Sequence, residues 1–133
     1  MGKEHFKLVC AVYLILKRGG NYGLVSGHID GEESVLAAIA REAKEEAGIG
    51  LEPRDLKVTN IMHRKFESPN YERFCVFLET SRYSGEIKNM EPGKCDDIRW
   101  FPINDLPPNT IDYVKWAIEN SSNGIFFSED GWG

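Results

Sequence analysis

The chain has 133 residues, of which 16 are basic and 21 are acidic, giving a formal net charge of −5. This length predicts a single domain over residues 1–133, and the apolar fraction of 41% excludes a disordered chain. The acidic balance argues against a protein that coats nucleic acid by neutralising its phosphates. No apolar run approaches the ~20 residues that a membrane helix needs, and the N-terminus is unlike a signal peptide.

The patterns of apolar and turn-forming residues predict strands that alternate with two helices. Strands are predicted at residues 6–16, 22–25, 56–64, 71–82 and 98–101. Helices are predicted at 32–47, where Gly48 would end the helix, and at 110–120. Loops are predicted at 27–31, 65–70 and 85–97, followed after residue 121 by a polar tail with aromatic residues. The alternation indicates an α/β domain with a mixed sheet.

The three cysteines are widely spaced and form no CxxC pair, which argues against a zinc ribbon or a redox pair. Cys10 and Cys75 lie in apolar runs and are predicted to be small core residues. We therefore expect a protein with reduced thiols in the cytoplasm.

The first predicted helix carries three glutamates near its C-terminal end, Glu42, Glu45 and Glu46. Spacings of three and four residues place them on one helix face, where the like charges repel and the helix dipole disfavours them. The apolar stripe of this helix is offset from the glutamate face by roughly a quarter turn, which places the carboxylates beside the buried side. Such a cluster suits a hard divalent cation such as Mg²⁺, and a solvated acidic face is the alternative.

The segment around these glutamates resembles the Nudix box, G-x5-E-x7-R-E-U-x-E-E-x-G-U, in which U is a bulky aliphatic residue. All seven fixed positions match, as Gly27, Glu33, Arg41, Glu42, Glu45, Glu46 and Gly48. Ile49 fills the last aliphatic position, and Ala43 stands where the family favours a larger side chain. The resemblance implies an α/β/α sandwich with a mixed β-sheet between helices. It also implies hydrolysis of a nucleoside diphosphate linked to another group, with Mg²⁺ or Mn²⁺ as cofactor.

The resemblance further implies roles for individual residues. The implied metal ligands are the Gly27 carbonyl, Glu42, Glu45, Glu46 and a late loop glutamate, Glu91. The implied catalytic group comprises Arg41, Glu42 and Glu45, in which Arg41 would position a glutamate and pair with Glu33. Glu45 would be a further ligand or the general base, and which glutamate acts as the base is left open. Glu91 is alternatively a plain loop residue beside a Pro-Gly turn.

Residues 85–107 resemble the corresponding region of MutT-type nucleoside triphosphate diphosphatases within this family. That resemblance implies cleavage of a nucleoside triphosphate, including an oxidised one, to a monophosphate and pyrophosphate. Asn109 would recognise the base or cap the second helix, and His28 would contact the substrate or only orient its loop. Tyr113 and Trp116 are candidates to stack on a base or to pack against the sheet.

Other activities remain as alternatives. The enzyme could cleave ADP-ribose, a dinucleoside polyphosphate or another nucleotide conjugate, or the chain could be a non-catalytic nucleotide-binding module. The expected partner is a small nucleotide, with no nucleic acid and no membrane. Many family members are dimers, so a homodimer is compatible with the resemblance.

Overall fold

The computed structural model describes residues 5–18, 21–66, 72–87, 101–102 and 112–132. In this part of the chain the strands are β1 (Val9–Arg18), β2 (Asn21–His28), β3 (Lys57–Lys65), β4 (Glu72–Thr80), β5 (Phe101–Pro102) and β6 (Phe127–Asp130). The helices are α1 (Val35–Ala47) and α2 (Asp112–Ser122), with a 3-10 turn at Pro53–Asp55. None of the described helices is long and apolar enough to cross a membrane.

The strands form one sheet in the order β5-β2-β1-β4-β3-β6. Strand β1 is antiparallel to β2 and parallel to β4, while β3 is antiparallel to β4 and parallel to β6. Strand β5 extends the sheet beyond β2 through an antiparallel pairing. The predicted mixed sheet is therefore confirmed.

The two helices pack against opposite faces of the sheet, and β1 shows why. Its side chains at Val12, Leu14 and Leu16 pack in one core with Ala38, Ile39, Ala43 and Ala47 of α1. The alternate side chains, Ala11, Tyr13 and Ile15, pack on the other face with Val114, Ala117 and Ile118 of α2. A strand covered on both faces needs a continuous apolar run, which is what the sequence shows. The predicted α/β/α sandwich is confirmed.

The end of α1 follows the prediction, but its beginning does not. The helix ends at Ala47, and Gly48 has the left-handed conformation, with φ 71°, that glycine adopts most readily. The beginning lies at Val35, three residues after the predicted start, because the Ser34 side chain accepts a hydrogen bond from the Ala37 N–H at 3.1 Å. Glu32 has φ 66°, which is incompatible with a helix.

Two further expectations were wrong. The predicted loop at 27–31 begins two residues later than expected, since Gly27 and His28 pair with Val12 and Ala11 as part of β2. In the tail predicted to begin at Ser121, the first two residues belong to α2, and Phe127–Asp130 form β6, which pairs with β3. A segment that is rich in glycine or in polar residues can still form a strand when the edge of a neighbouring strand is free to pair with its backbone.

Several predictions fall outside the described residues. These are the metal ligand Glu91, the base-recognising residue Asn109 and most of the predicted connection at 85–97. Among the described cysteines, Cys75 is buried, as predicted, and Cys10 is half-buried. Burial raises the pKa of both thiols.

Candidate active site

The carboxylate of Glu42 lies directly against the backbone of Gly27. Helix α1 packs over β2, and this packing brings the third turn of the helix onto the end of the strand. A Cβ atom added at Gly27 would overlap the Glu42 carboxyl group and would lie 2.6 Å from its Oε1. The glycine is therefore required by the close approach of a side chain and not by its backbone conformation.

Arg41 is the centre of a hydrogen-bonded network that holds Glu42. Its Nε donates to Glu33 Oε2 at 3.1 Å and its Nη2 to Glu33 Oε1 at 2.7 Å, which is a bidentate pair. Its Nη1 donates to Glu42 Oε1 at 2.8 Å and to Glu45 Oε2 at 3.3 Å. Its Nη2 also donates to the backbone carbonyl of His28 at 3.2 Å. The expected pairing of Arg41 with Glu33 is confirmed.

The protonation states of this network follow from its contacts. The hydrogen bonds from Arg41 and from the backbone N–H of Asp30 hold the pKa of Glu33 below its usual value. The Glu33 carboxylate in turn raises the pKa of the Arg41 guanidinium. Both groups are therefore charged at neutral pH, and Glu42 faces a permanently charged donor.

A cleft of about 390 Å³ opens in front of Glu42. It is lined by Tyr13, Ser26, Gly27, His28, Glu42, Glu46, Arg73 and Tyr113. The cleft brings together four of the residues predicted to form the site, namely Gly27, His28, Glu42 and Glu46. Arg41 lies behind them as a support, and Glu45 is half-exposed and extends toward Arg41.

The cleft can be tested against the needs of a divalent cation. Within the described residues, no three histidine, cysteine or acidic side chains are close enough to form a protein-only cage. Mg²⁺ is usually held by one or two carboxylates, together with waters and substrate phosphates. Glu42 and Glu46 line the same cleft, beside a glycine whose missing side chain leaves room for the Glu42 carboxylate. These two carboxylates fit a divalent cation whose remaining coordination positions are filled by water and by the phosphates of a substrate.

The opposite wall of the cleft is aromatic and cationic, and sequence reasoning missed most of it. Tyr13 and Arg73 were not predicted to belong to the site, whereas Tyr113 was a candidate. The rings of Tyr13 and Tyr113 meet edge to face, with centroids 5.5 Å apart. Burial and the hydrogen bond to Tyr113 raise the pKa of Tyr13, so it stays neutral. The available signal was the alternation along β1 and β4, which places Tyr13 and Arg73 on the α2 face.

The sequence profile of the NUDIX domain matches residues 7–119 of the chain. The chain belongs to the Nudix family. Its fold is similar to the crystal structure of a MutT Nudix hydrolase from Burkholderia pseudomallei, with a TM-score of 0.77 and 22% identity over 85% of this chain and 97% of that chain. At this level of identity the likeness supports the Nudix fold alone.

Curated relatives of this Nudix chain include proteins named NAD-capped RNA hydrolase NudC. The relative from Deinococcus radiodurans is 26% identical over 108 residues, which cover 80% of this chain and 36% of the relative. The relative from Vibrio vulnificus is 33% identical over 95 residues, which cover 68% of this chain and 32% of the relative. The chain therefore spans about a third of the length of these relatives.

Proposed function

We propose that this Nudix protein hydrolyses a nucleoside triphosphate to a nucleoside monophosphate and pyrophosphate, using Mg²⁺ or Mn²⁺. In this reaction, water attacks a phosphorus and one phosphoanhydride bond breaks. The observation that carries the proposal is the Glu42 carboxylate, which is 14% exposed, oriented by Arg41 and placed in a cleft with Glu46. Two carboxylates in one cleft, one of them held by an arginine, suit metal-assisted phosphoryl chemistry.

The metal would be held by Glu42 and Glu46, and Nudix hydrolases generally use divalent cations such as Mg²⁺. When bound, the cation would neutralise phosphate charge and favour attack by water. Glu45 stays a predicted ligand or base, supported by its position on the same helix face. Glu91 and Asn109 stay predictions as well.

The protein's own residues supply binding and orientation. The Arg73 guanidinium lines the cleft with the two glutamates and can contact substrate phosphate. Tyr13 and Tyr113 offer an aromatic wall of the kind on which a nucleobase or ribose packs. Arg41 holds the Glu42 carboxylate in one orientation, which limits the reorganisation needed during reaction. His28 is exposed and lines the same cleft, so it can contact the substrate.

A second candidate substrate is a dinucleotide pyrophosphate. The relatives from Deinococcus radiodurans and Vibrio vulnificus are named NAD-capped RNA hydrolases, which favours a nucleotide joined through a diphosphate to another nucleoside. ADP-ribose and dinucleoside polyphosphates belong to the same chemical class. The net charge of −5 disfavours a long RNA partner, so the free dinucleotide is the better candidate within this class.

A substrate panel tests the proposal. Nucleoside triphosphates, ADP-ribose, NAD and a dinucleoside tetraphosphate are incubated with the protein and Mg²⁺ or Mn²⁺, and products are separated by chromatography. We expect monophosphate and pyrophosphate from at least one triphosphate, and no turnover after chelation of the metal. Turnover of the dinucleotides alone would show that the substrate is a dinucleotide pyrophosphate and not a nucleoside triphosphate. Tight binding without any turnover would support a non-catalytic module.

A further inference from the structure

The C-terminal segment of the chain, residues 123–132, lies outside the part that matches the Nudix profile. It leaves α2 through Gly124, with φ 70°, and joins the open edge of β3. The Ile61 N–H donates to the Phe126 carbonyl at 2.7 Å, and β6 then pairs in parallel with β3 up to Asp130. The segment is therefore a structural addition to the domain that completes the sheet.

The end of this segment is fastened by specific contacts. Gly131, with φ 83°, packs so closely that an added Cβ would overlap the carbonyl oxygen of Lys65. The indole N–H of Trp132 donates to the His63 carbonyl at 3.1 Å, and the two rings are 4.7 Å apart. Together these contacts place the preceding residue, Asp130, at a defined position beside Arg64.

Asp130 is connected to the candidate active site through one arginine. Its Oδ2 accepts a hydrogen bond from Arg64 Nε at 3.0 Å, and the two side chains are 26% and 16% exposed. The Arg64 guanidinium carbon lies 4.1 Å from the centre of the Tyr113 ring. Tyr113 in turn lines the cleft and contacts Tyr13. A chain of direct contacts thus joins the C-terminal segment to the cleft wall.

We infer that Asp130 is a positioning residue that holds Tyr113 in the wall of the substrate cleft by orienting Arg64. The inference rests on the proposed function, because it assumes that substrate occupies this cleft. A planar guanidinium can stack on an aromatic face, and a hydrogen bond from its Nε restrains the plane in which it lies. Loss of the carboxylate removes the hydrogen bond that orients Arg64 and leaves its guanidinium the contacts with the Phe66 and Tyr113 rings. We expect this to loosen Tyr113 and to weaken substrate binding more than it affects the chemical step.

The test compares four variants with the wild type: Asp130→Asn, Asp130→Glu, Arg64→Lys and Glu129→Gln. Glu129→Gln is the matched control, since it makes the same chemical change on the neighbouring exposed residue of β6. Arg64→Lys keeps the positive charge but removes the planar group. It tests the same contact if Asp130→Asn does not fold. Steady-state kinetics give kcat and KM, and the Tyr113 ring signals are followed by NMR without substrate.

We expect Asp130→Asn and Arg64→Lys to raise KM about five-fold while kcat changes by less than about two-fold. Both should shift the Tyr113 ring signals. The KM of Asp130→Glu should lie closer to the wild-type value than the KM of Asp130→Asn does. Glu129→Gln should have the wild-type KM and ring signals. A lower Tm with unchanged KM and unchanged Tyr113 signals would overturn the inference, since the segment would then be structural only. If the wild type hydrolyses no nucleotide, the proposed function is wrong, and the ring signals alone decide whether Asp130 positions Tyr113.

Discussion

Two arginines on opposite sides of the sheet are held by carboxylates in different ways. The partners of Arg41 all lie within 13 residues of it, on α1 or in the segment before the helix. Arg64 is held by Asp130, which lies 66 residues away along the chain. The contacts of Arg41 therefore follow from the spacing of residues that are close in the sequence. The contact between Arg64 and Asp130 forms only because β6 pairs with β3.

The two arginines also contact different parts of the cleft: Arg41 contacts Glu42, and Arg64 contacts Tyr113. The Arg41 network orients the carboxylates of the cleft, and Arg41 does so through five partners: Glu33, Glu42, Glu45, the His28 carbonyl and Asp30, whose Oδ2 lies 3.3 Å from Nη2. The Arg64 contacts support the aromatic wall, where packing matters more than charge. Changes near Arg41 should therefore act mainly on the chemical step, and changes near Arg64 mainly on binding or stability.

The largest effect is expected from Glu42→Gln. We expect it to lower kcat by about 10² or more, because it removes charge from the oriented carboxylate in the cleft. Glu45→Gln should lower kcat less, by about ten-fold, because Glu45 contacts Arg41 from a half-exposed position. Initial rates of product release at saturating substrate measure both. The exposed residue Glu119 provides the control variant, Glu119→Gln, which should match the wild type.

Gly27→Ala should have the next largest effect. The added methyl group would displace the Glu42 carboxylate, and we expect kcat/KM to fall by about 10 to 100-fold. Gly31→Ala is the matched control, because a Cβ there meets nothing within 4 Å. Equal activity of the two variants would show that the close approach of Glu42 to Gly27 is not needed.

On the Arg64 side, Gly131→Ala should reduce stability without altering kcat. The methyl group would overlap the Lys65 carbonyl and also meet a left-handed backbone, at an expected cost of about 2 kcal/mol. Gly124→Ala shares the left-handed backbone but meets nothing within 4 Å, so it should cost about 1 kcal/mol. Denaturant unfolding of the two variants measures the difference, and an equal cost would argue against tight packing of Gly131.

The smallest effect concerns the pH dependence of stability. Arg41 lowers the pKa of Glu33 in the folded protein, so this carboxylate stabilises the fold above its ordinary value of 4.5. The contribution is lost as the pH falls through the lower folded pKa. Glu33→Gln should therefore melt below the wild type at pH 7, and the gap in Tm should begin to narrow below about pH 4.5 and close once the pH is below the folded pKa of Glu33. The exposed residue Glu52 provides the control, Glu52→Gln, for which no such gap is expected.

How far the sequence predicts this molecule depends on the separation of the contacting residues. The end of α1 at Ala47 and the pairing of Arg41 with Glu33 follow from local spacing and from the resemblance to the Nudix box. Strand β6 was not predicted, because its four residues, Phe127–Asp130, show no strong strand pattern and are ordered by β3. Tyr13 and Arg73 join the site only through strand register, which composition does not reveal.

The most direct test of the central claim is pyrophosphate release from nucleoside triphosphates with Mg²⁺, measured for the wild type and for Glu46→Gln. Glu46 shares the cleft with Glu42, so the variant should retain the fold and lose most of the rate. We expect pyrophosphate and nucleoside monophosphate in equal amounts from the wild type, and a rate at least about 10² lower from the variant. Absence of pyrophosphate from every triphosphate, or full activity of Glu46→Gln, would contradict it.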